Sequence, residues 1–224
     1  MLKKMILTLL AVFALAVSFG LYFFLKNPNP NRPARIEAPN GFVQAHGTNL
    51  YDGSGNLLQL RGVNLGNWFI QEFWMGVNSV GSYGTGIYAG EAMEANHNLS
   101  PEQIRELEAL YVDTYIQEKD FQIISDLGMN VVRIPFTCYN LTVDGYTLRE
   151  DAFEKLDWAV EMCERYDLYA IIDLHGAVGS QNRDVHSGDD AQYDLYGNET
   201  NMRATCDLWK RYLQNSAPVI PETR

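Results

Sequence analysis

The chain has 224 residues, of which 46% are hydrophobic and 20% charged, a balance typical of globular proteins that excludes disorder and fibrous repeats. The net charge is −11; the first 26 residues hold three lysines and no acid, so 14 basic and 28 acidic residues remain and give the rest −14. A body this acidic repels a phosphate backbone, which argues against a nucleic-acid partner. Three cysteines are too few for a disulfide framework or a zinc knuckle, and we interpret them as free core thiols: Cys138, Cys163 and Cys206.

An uncharged apolar run, Met5–Leu25, lies between Lys4 and Lys26 near the start of the chain. At about 1.5 Å rise per residue it would span about 31 Å as a helix, which matches a bilayer core. We predict that residues 1–26 are a signal anchor, with a cleaved signal peptide as the alternative, and that the body is extracytoplasmic, membrane-anchored or secreted. Residues 27–40 hold four prolines and four asparagines and are predicted to be a linker.

Two extended runs, Phe42–Leu50 and Leu57–Leu60, flank a Gly- and Asn-containing turn sequence at residues 52–56. This pattern predicts a β-hairpin. The second run continues into a segment whose glycines mark the end of a strand.

Ser100 begins the next predicted element, a helix with Pro101 at its first position and Gln103 where a capping box requires it. Apolar residues recur at helical spacing as far as residue 127, with a break near Thr114. Gly128 is predicted to terminate the second part of this helix.

Strands and helices alternate through the remainder of the body. We predict a buried strand at 130–136, a helix at 151–166, a second buried strand at 169–175 and a helix at 199–214. This alternation is typical of an α/β fold with a parallel sheet covered by helices.

Polar side chains interrupt the two apolar strands near their C-terminal ends. Side chains alternate along a strand, so Arg133 on one strand, and Asp173 and His175 on the next, are expected on one face, with Asn64 beside them. In open α/β sheets and in (β/α)8 barrels that end carries the chemistry. An internal ion pair between Arg133 and Asp173, with His175 as a satisfied core histidine, is the alternative that the pattern leaves open.

Three motifs follow one another along the body. The first is Arg61-Gly62-Val63-Asn64-Leu65-Gly66-Asn67-Trp68 with Glu72 and Trp74, and the second is Asp120-Phe121 and Leu127-Gly128-Met129-Asn130 with Val132-Arg133-Ile134-Pro135. The third is Asp173-Leu174-His175-Gly176-Ala177-Val178-Gly179-Ser180-Gln181-Asn182 with His186-Ser187-Gly188. In order and spacing they resemble glycoside hydrolase family 5, in its cellulase and exo-β-1,3-glucanase branch. The resemblance implies a (β/α)8 barrel and retaining hydrolysis of β-linked glucans by two glutamates. We expect no cofactor and no metal.

The resemblance also assigns roles to individual residues. Arg133 is similar to an arginine that orients the nucleophilic carboxylate, and His175 to a histidine that binds sugar hydroxyls. Glu72 resembles a glutamate that holds a terminal sugar, and Asn182 a polar residue of the substrate loop. Trp74 is open between sugar stacking and core packing, whereas Trp68 is predicted to lie in the core.

The family's acid/base glutamate lies in an Asn-Glu-Pro sequence after strand four and its nucleophile after strand seven. This chain contains no Asn-Glu-Pro, and only three βα units are visible. A full barrel takes about 250 residues. We therefore expect residues 41–224 to be the N-terminal part of a truncated barrel: three βα units preceded by a β-hairpin and an N-terminal membrane helix, inactive as given.

Two further functions stay open at this point. One is a non-catalytic carbohydrate-binding protein of the cell surface. The other is a metal-dependent hydrolase using Asp173, His175, Asp184 and His186, although their spacing does not resemble a common zinc motif. The expected partners are therefore a β-glucan or oligosaccharide and, through residues 5–25, a membrane. The sequence decides neither the glucan linkage nor exo versus endo action.

Overall fold

The computed structural model describes residues 43–72, 75, 98–187 and 193–215. The predicted membrane helix Met5–Leu25, the linker 27–40 and Trp74 lie outside these residues. Within the described ranges, no helix is both long enough and apolar enough to cross a bilayer. The chain divides into two compact units, Met1–Gln59 and Leu60–Arg224.

The described part of the first unit is a small antiparallel sheet of three strands. Its strands are β1 (Gln44–His46), β2 (Asn49–Tyr51) and β3 (Leu57–Leu58), in the order β1-β2-β3. The Asp52 carboxylate closes the predicted turn between β2 and β3 by accepting the backbone N–H groups of Ser54 and Asn56, each at 2.8 Å. The hairpin is confirmed, but the single run predicted for residues 42–50 is wrong. Gly47 has φ +61, which a strand does not accommodate, and a turn there separates β1 from β2.

The second unit contains a parallel three-stranded sheet with helices, as the alternating pattern predicts. Its strands, in the order β4-β5-β6, are β4 (Gly62–Asn64), β5 (Val131–Thr137) and β6 (Tyr169–Gly176). Its helices are α1 (Pro101–Tyr115), α2 (Glu118–Asp126), α3 (Cys138–Leu141), α4 (Glu154–Arg165) and α5 (Glu199–Asn215). The one-turn helix α3 carries no periodic signal in the sequence because it is too short to show one.

Local capping determines where α1 and α2 begin and end. The Ser100 hydroxyl accepts the Gln103 backbone N–H at 3.3 Å, and the Gln103 side chain accepts the Ser100 N–H at 2.8 Å, which confirms the capping box. The predicted break near Thr114 is confirmed, since α1 ends at Tyr115 and α2 begins two residues after Ile116. Gly128 terminates α2 with φ +72, a conformation that glycine adopts at little cost.

One face of the parallel sheet is buried under the helices. Val132 and Ile134 on β5 are completely buried, and they share a hydrophobic cluster with Phe121 of α2 and Leu156 of α4. Trp68 is also completely buried in this cluster, as predicted, and its indole N–H donates to the Val112 carbonyl at 2.8 Å. Burying side chains of this size contributes about 2–3 kcal/mol each.

The three cysteines are not joined in disulfides, and they do not share one environment. Cys138 and Cys163 are buried, and burial raises the pKa of the Cys163 thiol to about 11. Cys206 is exposed on α5, so its assignment to the core was wrong. The amphipathic face of α5 that meets the core instead presents Leu208 and Tyr212.

Candidate functional site

The second face of the parallel sheet carries the polar side chains. In the strand register, Asn64 is paired with Arg133, Arg133 with Ile171, and Pro135 with Asp173, so these side chains point to the same side. The register shifts after Phe136, where Thr137 is paired with Gly176. His175 therefore lies at an irregularity of the ladder, of the kind that re-aims a side chain beside a functional site.

Arg133, Asp173 and His175 form a contact triad on this face. Arg133 Nη2 lies 2.5 Å from Asp173 Oδ2, and His175 Nδ1 lies 2.9 Å from each of these atoms. The Arg133–Asp173 ion pair, which the sequence pattern left open as the alternative, therefore forms. The pair is partly exposed and not internal, because the side chains of Arg133, Asp173 and His175 are 31%, 26% and 28% exposed. A ligand can reach their remaining donors and acceptors.

Glu72 lies on a loop after β4, and hydrogen bonds hold this loop against α1 and the end of β5. Asn67, buried and left-handed at φ +56, accepts the Glu72 backbone N–H on its side-chain oxygen at 3.0 Å. Tyr111 of α1 donates its hydroxyl to the Asn67 carbonyl and accepts the Asn67 amide at 3.2 Å. Asn140 ties the same loop to the end of β5, since it donates to the Phe69 carbonyl at 3.1 Å and accepts from Thr137 N–H at 2.7 Å.

The Glu72 carboxyl group is buried beside two imidazoles. Burial raises the pKa of Glu72 above 4.5, while the nearby His175 and His186 act in the opposite direction by favouring the carboxylate. Glu72 is only 9% exposed. The charge of this carboxyl group therefore interacts with His175 of the triad, although Glu72 comes from a different loop.

The loop after β6 brings His186 and Asn182 to the site. The His186 ring lies 5.5 Å from the His175 ring, centroid to centroid, and Asn182 Nδ2 lies 3.5 Å from His186 Nε2. Two buried hydroxyls fix the loop, with Ser180 Oγ and Ser187 Oγ 2.5 Å apart. Gln181 fastens the loop to the strand end by donating to the His175 carbonyl at 2.5 Å.

Five of the six predicted substrate-binding residues lie in the part of the chain that the structure describes. Arg133 and His175 are in contact, while Glu72 and Asn182 lie beside the two histidines. Asn64 is exposed, next to Arg133 in the register. The predicted convergence of the strand residues is confirmed, whereas the roles assigned to the site residues stay predictions. The predicted substrate set omits His186, and the signal for it is the second histidine in the motif that follows β6.

The histidines and carboxylates also bear on the metal hypothesis. Among residues 43–72, 75, 98–187 and 193–215, no three histidine, cysteine or carboxylate side chains are arranged to hold one metal ion. The polar groups of the site are suited to hydrogen bonding: a guanidinium, two imidazoles, two amides and two carboxyl groups. Such a set can donate to and accept from a polyhydroxylated ligand.

The family assignment follows from residues 93–223, which match the pattern of the family described as Cellulase (glycosyl hydrolase family 5). This chain belongs to glycosyl hydrolase family 5. The match covers more than half of the chain and includes β5, β6 and the loop with His186. The resemblance expected from the three sequence motifs is therefore confirmed.

Curated proteins that are similar in sequence to this chain include glucan glucosidases and a xylosidase. The chain is 32% identical over 155 residues to the sporulation-specific glucan 1,3-beta-glucosidase of Saccharomyces cerevisiae, covering 66% of this chain and 34% of that protein. It is 28% identical over 152 residues to a beta-xylosidase of Phanerodontia chrysosporium, covering 65% and 30%. The chain thus spans about a third of the length of the curated relatives it matches.

Solved structures support the fold. The rutinosidase from Aspergillus niger matches with a TM-score of 0.56 and 22% identity, over 72% of this chain and 46% of that one. At this identity the likeness concerns the fold alone. Together with the family assignment, it indicates that the three parallel βα units are part of a (β/α)8 barrel fold.

Proposed function

We propose that this chain forms the sugar-binding part of a glycoside hydrolase that acts on β-linked glucans. The observation that carries the proposal is the contact triad of Arg133, Asp173 and His175 at the C-terminal end of a family 5 sheet, with Glu72 and His186 beside it. The names of the glucan glucosidase relatives support the glucan as substrate class.

Each side chain has a role that its surroundings allow. The guanidinium of Arg133, restrained by Asp173, orients a carboxylate or a sugar oxygen. His175, Asn182 and Asn64 bind sugar hydroxyls, and Glu72 accepts hydrogen bonds from a terminal sugar. Trp74, outside the described residues, stacks against a sugar ring in this proposal.

The proposed chemistry is retaining hydrolysis, which requires two carboxyl groups about 5–5.5 Å apart on either side of the glycosidic bond. Asp173 is committed to Arg133 at 2.5 Å, and the sequence contains no Asn-Glu-Pro. We therefore assign sugar binding, and not bond cleavage, to the 224 residues by themselves.

The proposed location is extracytoplasmic, with residues 5–25 as the membrane contact. The apolar length of this segment supports an anchor. Alkaline carbonate extraction of cells that express the chain tests it: the full-length product stays in the pellet if the segment is an anchor, and release into the supernatant refutes the anchor.

The test of sugar binding compares two matched carboxylates in the full chain, purified in a detergent without a sugar headgroup. Glu72→Gln removes the charge at the site, whereas Glu118→Gln removes an exposed carboxylate that accepts from Arg165 at 2.8 Å. Affinity electrophoresis in gels containing laminarin, a soluble β-1,3-glucan, measures binding. We expect Glu72→Gln and His175→Gln to weaken binding at least about tenfold, because each loses a buried or charge-assisted hydrogen bond.

The control variant, Glu118→Gln, should bind laminarin as the unaltered chain does. Unchanged laminarin affinity in both site variants, or no binding by the unaltered chain, would refute the proposal.

A further inference from the structure

Three tyrosines are exposed on two loops at the same end of the sheet as the triad. Tyr146 follows β5 and α3, and Tyr193 and Tyr196 follow β6 and precede α5. Their exposed fractions are 51%, 61% and 73%. In a (β/α)8 barrel, loops that follow strands lie at the C-terminal end of the sheet, which also carries Arg133 and His175.

A buried amide joins the two loops. Asn201, in the first turn of α5 and 2% exposed, accepts the Tyr146 hydroxyl on its side-chain oxygen at 2.6 Å. Its side-chain nitrogen lies 3.3 Å from the Asp194 carbonyl and from the Asp194 carboxylate. Tyr146 is therefore held beside the segment that carries Tyr193 and Tyr196, and its own ring is pre-positioned at little cost in conformational entropy.

The tyrosine segment is also fastened to the loop of the candidate site. Asp194 N–H donates to the Gly179 carbonyl at 2.8 Å, and Leu195 N–H donates to the Ser180 carbonyl at 3.1 Å. Gly179 has φ +75, and a Cβ there would lie 2.1 Å from Asn201 Nδ2, so only glycine allows this approach. The tyrosines and His175 are thus connected through one short, hydrogen-bonded loop.

The charges around the tyrosines select the class of ligand. Residues 142–147 and 193–203 contain three carboxylates, Asp144, Asp194 and Glu199, and one arginine, Arg203, whose guanidinium pairs with Glu199 at 3.3 Å, so the net charge of these segments is negative. Such a surface repels phosphates and other polyanions. Exposed aromatic faces next to amide and carboxylate acceptors suit a neutral polyhydroxylated chain, because apolar sugar faces stack on the rings while hydroxyls find partners.

We propose that Tyr146, Tyr193 and Tyr196, here called the tyrosine rim, form an accessory binding surface for a neutral β-glucan chain. The inference rests on the proposed function: a glucan whose end lies at Glu72 and His175 extends beyond them, over the loops that follow β5 and β6. The rim holds sugar units outside the candidate site, so it acts on long chains and not on a disaccharide.

The experiment compares two ligands and one matched control in the full chain. Single changes of the rim tyrosines to alanine are tested for binding of laminarin and of laminaribiose, its disaccharide. Tyr169, 37% exposed at the opposite end of β6, supplies the control Tyr169→Ala. We expect each rim change to weaken laminarin binding about 2- to 10-fold and to leave laminaribiose binding unchanged. Changes to phenylalanine at Tyr193 and Tyr196 should preserve laminarin binding, because the stacking face is kept.

The possible outcomes separate this inference from the proposed function. Laminarin affinity that is unchanged in all three alanine variants, or lowered equally by Tyr169→Ala, overturns the rim. Equal losses for both ligands also overturn it, because the tyrosines would then act within the candidate site. If Glu72→Gln and His175→Gln leave laminarin binding intact while the rim variants weaken it, the proposed site fails and the rim stands. If the unaltered chain binds neither ligand, both fail.

Discussion

Gly176, the last residue of β6, links the packing of the sheet to the geometry of the candidate site. A Cβ at this position would lie 2.4 Å from the Ser187 carbonyl oxygen, and 2.8 and 2.9 Å from Cγ2 and Cβ of Thr137. Ordinary contacts between carbon atoms are about 3.5–4.0 Å. Gly176→Ala therefore forces Ser187, and with it the neighbouring His186, away from the strand.

The loss of stability expected for Gly176→Ala follows from the atoms that would have to move. One is a backbone oxygen in a turn held by the Ser180 and Ser187 hydroxyls, and the others belong to a β-branched side chain on β5. Overpacking of this kind costs about 1–3 kcal/mol. For a chain of this size, the expected fall in melting temperature is about 2–12 °C.

Gly197→Ala is the matched control. Among the described residues, a Cβ at Gly197 meets only Asp194 Oδ1, at an ordinary 3.8 Å, and the backbone there is not left-handed. Its effect should stay within about 0.5 kcal/mol. Thermal unfolding of both full-chain variants, followed by circular dichroism, makes the comparison. Equal melting temperatures for Gly176→Ala and Gly197→Ala would refute the steric argument.

Two further predictions follow from the carboxyl groups of the site. Because burial raises the pKa of Glu72, the folded state binds a proton there more tightly than the unfolded state does. The contribution of Glu72 to stability is therefore fully present below about pH 4.5 and is lost as the pH rises through the folded-state pKa. Melting temperatures measured against pH should show the unaltered chain losing stability relative to Glu72→Gln over this window, and a relative gain would contradict the burial argument. Secondly, under the proposed function the 224-residue chain should release no reducing sugar from laminarin, lichenan or carboxymethyl-cellulose, because retaining hydrolysis needs two catalytic carboxyl groups and we assign only sugar binding to these residues. Turnover that Glu72→Ala or Asp173→Ala abolishes would mean that such a pair exists.

Features that depend on local interactions could be predicted from the sequence. The capping box at Ser100, the terminating Gly128 and the alternation along β5 and β6 each depend on neighbouring residues, and each is confirmed. The shared face of Arg133 and Asp173 was predictable for the same reason, since side chains alternate along every strand and the two strands are parallel. The family could be identified because its motifs are concentrated at these strand ends.

Tertiary structure decided which distant segments meet. Nothing local to Glu72 indicates that its carboxyl group is buried beside His175 and His186; that position depends on Asn67, Tyr111 and the packing of α1. The same is true of Asn201, whose amide accepts a hydrogen bond from Tyr146, 55 residues away in the sequence. Cys206 was assigned wrongly because its position on the helix was not considered: it lies two residues before Leu208, on the side of α5 away from the buried Leu208 and Tyr212. Local periodicity specifies the elements and their faces, whereas long-range packing specifies which faces come together. The candidate site depends on this long-range packing, because its side chains come from separate strands and loops.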